Sequence, residues 1–260
     1  MRRIVVDANL LVSRTLRDYV VYSAGRQAYS LHWSPRILDE MRTNLQQQFG
    51  FTSVDAQALQ RGLVRYMPQA MVEVDQRDVL VAQESATDAK DIHVLAAALS
   101  ARASLLVTEN VSDFDREWMG EHDVKLMRTG ELLHLISKEN PEALAFAHEQ
   151  AIRTQSHSAE YVVLDKLDAS TAHSPVSAVE HALRATVGRE RLTGDGYAPE
   201  DYVPRRNRQG RPKPSLGQAG VIALALSTAG SGQIWVNPYT KRDGTLTSGH
   251  WRGRPGSKRA

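Results

Sequence analysis

Arg3-Ile4-Val5-Val6-Asp7-Ala8-Asn9 is the stretch on which the fold turns. Ile4, Val5 and Val6 are β-branched and follow one another without a break. Side chains so stiff at their first torsion favour a strand over a helix. A strand with no polar alternation is buried on both faces, as in a parallel sheet. The run stops at an acid, Asp7, placed at the strand's carboxyl end. Outward from it, Leu31-His32-Trp33, Ala70 to Val74, Ser104 to Thr108 and Val124 to Met127 read as further strands. Between them lie amphipathic segments: about Asn9 to Ala28, a helix opened by Ser34-Pro35, Thr52 to Tyr66, Asp88 to Arg102 and Thr129 to Ser137. Ser34 caps and Pro35 fills the first helical position, where a missing N–H costs nothing. Ile37, Leu38, Met41 and Leu45 then recur at helical spacing, as do Ile92, Leu95, Ala96 and Leu99. Strands alternating with helices give the α/β class, a three-layer α/β/α unit around a parallel sheet.

After Asn140 the pattern turns wholly helical, with segments to about Gln155, from Glu160 to Leu167 and from Pro175 to Val187. Beyond Gly188 the chain is rich in Gly, Pro, Arg and Ser. Residues 204–218 read as a linker; Gln233 to Tyr239 and Leu246 to Trp251 read as a short hairpin turned at Asp243-Gly244. The expected organisation is therefore 1–138, an α/β unit, 139–188, a helical extension, and 189–260, a basic tail with a possible short hairpin.

The 260 residues carry 32 Lys+Arg and 30 Asp+Glu, a formal net charge of +2. That figure hides an asymmetry: residues 1–150 balance at −5, 151–203 at −3 and 204–260 at +10. An acidic body with a basic tail points to nucleic acid, an anionic surface or the protein's own acidic face as the tail's partner. Zero cysteines exclude a disulfide framework, a thiolate zinc site and a cysteine nucleophile. The apolar run at the start ends too soon for a signal peptide, and no later run approaches the ~20 residues of a spanning helix. A soluble, cytoplasmic protein with no membrane partner is expected.

Ligands of a parallel α/β sheet bind beyond the carboxyl ends of its strands. Asp7 stands there, and so does Asp113, one loop after Thr108. Either is also placed to cap a following helix. Asp88 is better placed than Asp91 to cap the helix they open, which leaves Asp91, at the edge of the apolar stripe, without a structural duty. Glu40 beside Asp39 reads alone as an exposed charge and gains meaning only in a set. Four carboxylates, Asp7, Glu40, Asp91 and Asp113, in one crevice cannot all stay ionised without a counter-charge. Mg²⁺ or Mn²⁺ with oxygen ligands supplies one, and such metals assist in-line displacement at phosphorus.

Val5-Val6-Asp7-Ala8-Asn9 resembles the opening strand of a PIN domain. Leu38-Asp39-Glu40-Met41, the run Asp88 to Ala98 and the run Leu106 to Phe114 resemble its later motifs, in the same order. The resemblance covers about residues 2–137 and is closest to VapC-type toxins of bacterial toxin–antitoxin pairs, with a helical C-terminal extension. It implies a PIN-like fold and a metal-dependent endoribonuclease in which Asp7, Glu40, Asp91 and Asp113 form the acidic set. Thr108 and Asn110 match polar residues that support the fourth acid from behind. Many members carry an acid where Asn110 stands, so Asn110, Asp113 and Asp115 compete for the place facing the metal. RNA is the implied substrate and an antitoxin the implied partner; a second copy of the chain is a further candidate partner. The alternative is a PIN fold that no longer cuts and only binds RNA or protein.

Other chemistries find less support. Nine histidines include no His-Glu-x-x-His pairing, and His93 reads as structural within its alanine-rich helix. Gly230-Ser231-Gly232 lacks the spacing of a nucleophile elbow, and no P-loop or dinucleotide fingerprint occurs. Asp7 lacks the second acid two residues on that an aspartyl-phosphate enzyme needs. In the tail, Arg205, Arg206, Arg208, Arg211, Lys241, Arg242 and Arg252 with Trp251 combine phosphate neutralisation and base stacking. The same charge would also suit a solvated tail, or one folded back on the acidic body.

Overall fold

The computed structural model describes residues 1–155 and 160–187, together with the strand segments 233–236, 239–240, 246–247 and 250–253. Strand β1 (Arg3–Val6) is central and buried from Ile4 onward. Helices α1 (Ala8–Val12) and α2 (Arg14–Gly25) follow it. The continuous helix expected from Asn9 to Ala28 is broken at Ser13. Ser13 is extended, and its hydroxyl accepts a hydrogen bond from the Leu16 N–H, which starts a new helix at Arg14.

Strand β2 (Ser30–His32) leads into α3 (Pro35–Phe49). Ser34 Oγ accepts from the Ile37 N–H and Pro35 takes the first position, as the sequence predicts. Helix α4 (Ser53–Tyr66) is capped by Thr52. The expected strand Ala70 to Val74 does not form. A tight turn at Pro68–Ala70 leaves only an isolated bridge between Trp33 and Met71. Helix α5 (Gln76–Ala82), which the sequence reading passed over, follows with Asp75 as its cap.

Helix α6 (Ile92–Ser100) buries His93 through Ala98. Three consecutive alanines give it a narrow body, so it can sit close against the sheet. Strand β3 (Leu105–Val107), helix α7 (Arg116–Glu121), strand β4 (Lys125–Met127) and helix α8 (Thr129–Glu139) complete the α/β part. The sheet has the order β2-β1-β3-β4, and every neighbouring pair is parallel. This is the PIN-like architecture expected. Strand order is what matters for the site: β1 and β3 are adjacent, with Val6 opposite Val107. Asp7 and Thr108 therefore emerge side by side.

Helices α9 (Pro141–Thr154), α10 (Glu160–Ser170) and α11 (Val176–Val187) form the helical stretch. Helix α9 packs on α2, and α11 packs on α8 and α9. A buried polar chain fastens the α2 contact. The Tyr19 hydroxyl lies 2.6 Å from His148 Nδ1, and His148 Nε2 lies 2.8 Å from Glu160 Oε1. Burial in apolar surroundings would make these groups costly if unpaired, so the contact is specific rather than merely greasy.

In the tail, β5 (Gln233–Val236) pairs antiparallel with β8 (His250–Gly253), and β6 (Tyr239–Thr240) with β7 (Leu246–Thr247). These are two separate two-stranded sheets, and in the first the register sets Trp235 opposite Trp251. Arg205, Arg206, Arg208, Arg211, Lys241, Arg242 and the turn Asp243-Gly244 lie outside the described residues.

Candidate active site

Asp7 is the residue the sheet positions most tightly. Its N–H bonds Val107 O across to β3, and the residue is only 2 % exposed. Its Oδ2 accepts from Thr108 Oγ1 at 2.8 Å and from Asn9 Nδ2 at 2.6 Å. Thr108 Oγ1 in turn accepts from the Asn110 N–H at 3.0 Å. The support expected from Thr108 and Asn110 is thus aimed elsewhere than the resemblance implied. Thr108 steadies Asp7, not the fourth acid, and Asn110 contributes through its backbone. Adjacency of β1 and β3 is the reason. Asn9 is a site residue that the reading quoted but did not single out; its place two residues after Asp7 was the available signal.

Burial pushes the Asp7 carboxyl above its ordinary range; the Thr108 bond opposes this, and the Glu40 charge adds to it. The Asp91 carboxyl is also pushed up, to about 6. Burial is again the main cause, followed by the charge of Asp7; Lys90 opposes, and Asp113 and Glu40 add to the rise. All four predicted acids therefore share one electrostatic crevice, with Asp91 feeling the other three.

Asp91 occupies the N-cap position of α6 without making a side-chain cap bond. Its Oδ2 is buried and has no hydrogen-bond partner. Asp88 instead shapes the turn before the helix, where its Oδ1 accepts from the Lys90 N–H. Glu40 reaches in from α3. Its Oε2 lies 3.0 Å from His93 Nε2, but the two are out of line for a hydrogen bond. His93 Nδ1 is 2.8 Å from Lys90 O, and since a carbonyl only accepts, Nδ1 carries the proton there. His93, expected to be merely structural, thus stands against a predicted site acid.

Asp113 ends a tight turn at Val111–Asp113. Lys90 Nζ donates to its Oδ2 at 3.0 Å, and that bond is the main reason its carboxyl lies below the ordinary range. The same ammonium is 3.6 Å from Asp88 Oδ2 and 3.8 Å from Asp91 Oδ2. Lys90 is the residue the sequence reading missed outright. Its only signal was its position between Asp88 and Asp91. Asp115 is committed otherwise: its carboxylate accepts from the backbone N–H groups of Trp118 and Ala86. Those bonds hold it below its ordinary range and fix the 85–87 loop.

The acids gather more loosely than one shared ligand set. Among the described residues, no three His, Asp or Glu side chains converge closely enough to hold one metal ion. Two observations nonetheless suit a hard divalent cation. Asp91 Oδ2 and Glu40 Oε2 are buried carboxylate oxygens without hydrogen bonds. A lysine ammonium, moreover, already stands among the acids as their counter-charge.

The fold and this crevice define an α/β domain with an acidic site at the carboxyl ends of its parallel strands. Residues 3–112 match the family model of the PIN domain, so this part of the chain is similar to PIN domains. That family is generally one of nucleases and typically uses divalent metals, which supports a nuclease-type function. No curated protein and no solved structure matches the chain. Among the described residues, no helix is long and apolar enough to cross a membrane.

Proposed function

We propose that the chain is a Mg²⁺- or Mn²⁺-dependent endoribonuclease and the toxin of a bacterial toxin–antitoxin pair, acting in the cytoplasm. The observation that carries this reading is Asp91 Oδ2, a buried carboxylate oxygen left without a hydrogen bond beside Asp7 and Glu40. The nearest cation, Lys90 Nζ, stands 3.8 Å from it, beyond hydrogen-bond reach, so a closer cation is its natural partner. Asp7, Asp91 and Glu40 would hold the metal, with Asp113 completing the set. The metal would supply an activated water and stabilise the leaving oxygen of the phosphodiester.

The chain's own part is positional. Thr108 and Asn9 fix one Asp7 oxygen, which leaves the other oriented by the strand. Helix α6 holds Asp91 at its positive end, where a carboxylate is favoured. Lys90 keeps Asp113 ionised and close. An antitoxin and a second copy of the chain are the proposed protein partners. The tail's basic residues, with Trp251, are proposed to engage the RNA.

The test is cleavage of RNA by the full chain with Mg²⁺ or Mn²⁺. Asp7→Asn and Asp91→Asn are each expected to abolish it while retaining the fold, and EDTA is expected to stop the wild type. Full activity in either variant, or in excess EDTA, sinks the assignment. One observation favours the silent binding module as the second reading: no three ligands converge among the described residues. A wild type that binds RNA, never cuts it, and arrests growth no more than Asp7→Asn would select that module.

A further inference from the structure

Beside the carboxylates lies a cavity of about 660 Å³ that the proposed chemistry does not use. It opens between α3, α5 and α6. Its lining combines the half-buried apolar side chains of Val74, Val79 and Ile92 with the exposed Arg36, Glu73 and Gln83, the hydroxyls of nearby serines and a threonine, and His93. That volume lies in the range of sites that enclose small organic ligands, and a lining of apolar walls with a few polar groups is their usual character.

Two features tie the cavity to the acids. His93 belongs to both: it lines the cavity while its Nε2 lies 3.0 Å from Glu40 Oε2. Arg36 precedes Glu40 by one helical turn on α3, so the two share a face. Whatever fills the cavity is thus contiguous with whatever sits at the carboxylates. Apolar walls reject a phosphate and accept the flat face of an uncharged ring. The Gln83 amide offers both a donor and an acceptor, as the edge of a nucleobase requires. Arg36 at the mouth suits the neighbouring phosphate. Sequence-reading proteins take single-stranded RNA in this way, with bases splayed into pockets and read along their edges.

We propose that this cavity receives an unpaired nucleobase of the RNA strand adjoining the scissile phosphate, and that it sets the enzyme's sequence preference. The inference rests on the nuclease reading and adds to it the part of the substrate that is recognised. The test uses the full chain, labelled oligoribonucleotides of each base and an abasic oligomer of the same backbone. Wild type is expected to bind at least one base-bearing oligomer about tenfold more tightly than the abasic one. Val79→Trp fills the cavity and is expected to erase that ratio and to alter the cleavage-site pattern on a mixed RNA. Gln83→Trp, at an exposed position of the lining, repeats the test where folding is not at risk. Folded variants that keep both the ratio and the wild-type cleavage pattern overturn the proposal and leave the nuclease standing. A wild type that neither binds nor cuts RNA overturns both together. Variants that cut RNA normally but lose the antitoxin would show the cavity to be a protein-docking site, and would also overturn it.

Discussion

Removing the charge of Asp91 is expected to stabilise the metal-free protein while destroying its activity. The folded chain keeps a proton on this carboxyl up to about pH 6, whereas an ordinary aspartate loses its proton near 3.8. Between those values the native state binds more protons than the unfolded chain, so stability falls as pH rises through the window. Above it, the ionised Asp91 opposes folding in full. Each pH unit is worth about 1.4 kcal/mol, which makes roughly 3 kcal/mol a ceiling. Lys90 is largely exposed on one flank, so solvent screens the crevice and the expected cost is about 1–2 kcal/mol. Asp91→Asn is nearly the same shape and removes this cost. In EDTA at pH 8 it is expected to unfold at a temperature about 2–8 °C above wild type, at roughly 2–4 °C per kcal/mol for a chain of this size. At pH 4 the two should nearly coincide. Thermal unfolding followed by circular dichroism at both pH values measures the difference. A variant less stable than wild type at pH 8, or a gain equal at both pH values, would refute the argument that Asp91 is a strained, buried charge.

Lys90→Met is expected to let the Asp113 carboxyl rise toward its ordinary range, since the Lys90 bond is the main cause of its lowering; NMR titration of the side chain reads this. The same variant should bind Mn²⁺ more tightly by calorimetry, because the competing ammonium is gone. Gly130→Ala should destabilise the chain by about 1–2 kcal/mol in urea unfolding. A Cβ there would come 2.0 Å from the backbone oxygen of His173, and overpacking of about 1–3 kcal/mol outweighs the helix-propensity gain of about 1. A more stable variant would mean that the loop around His173 gives way freely. His148→Leu should cost about 2–3 kcal/mol by thermal unfolding, since it removes both the Tyr19 and the Glu160 contacts inside the α2–α9 packing. A neutral result would mean that the polar chain fastens nothing.

Much of the α/β part was legible because its signals are local. An uninterrupted β-branched run marked β1, an uninterrupted apolar run marked β3, and Ser34-Pro35 marked the start of α3 to the residue. The misreadings have physical causes too. Ala70 to Val74 has strand composition, but it meets the sheet only through the bridge at Met71, so no ladder grows. Helix α5 escaped notice because Val79-Leu80-Val81 is a short apolar run, and Leu80 points into solvent. Ser13 broke a helix because its hydroxyl caps the next one. A helix from Asp88 puts Asp91 in its first turn; Asp91 instead stands at the boundary, since the Asp88 turn delays the first helical residue to Ile92.

By itself the sequence determined that short buried strands alternate with helices, and that acids follow the strand ends. Burial periodicity and capping act over a few residues, so they are written in short stretches of chain. Only the tertiary structure decided which groups face one another. Thr108 serves Asp7 because β3 lies next to β1, about a hundred residues away in the chain. Lys90 stands between Asp91 and Asp113 because the loop after β3 returns over the start of α6. Strand order and loop return are set by the packing of the whole core, and no local pattern encodes them.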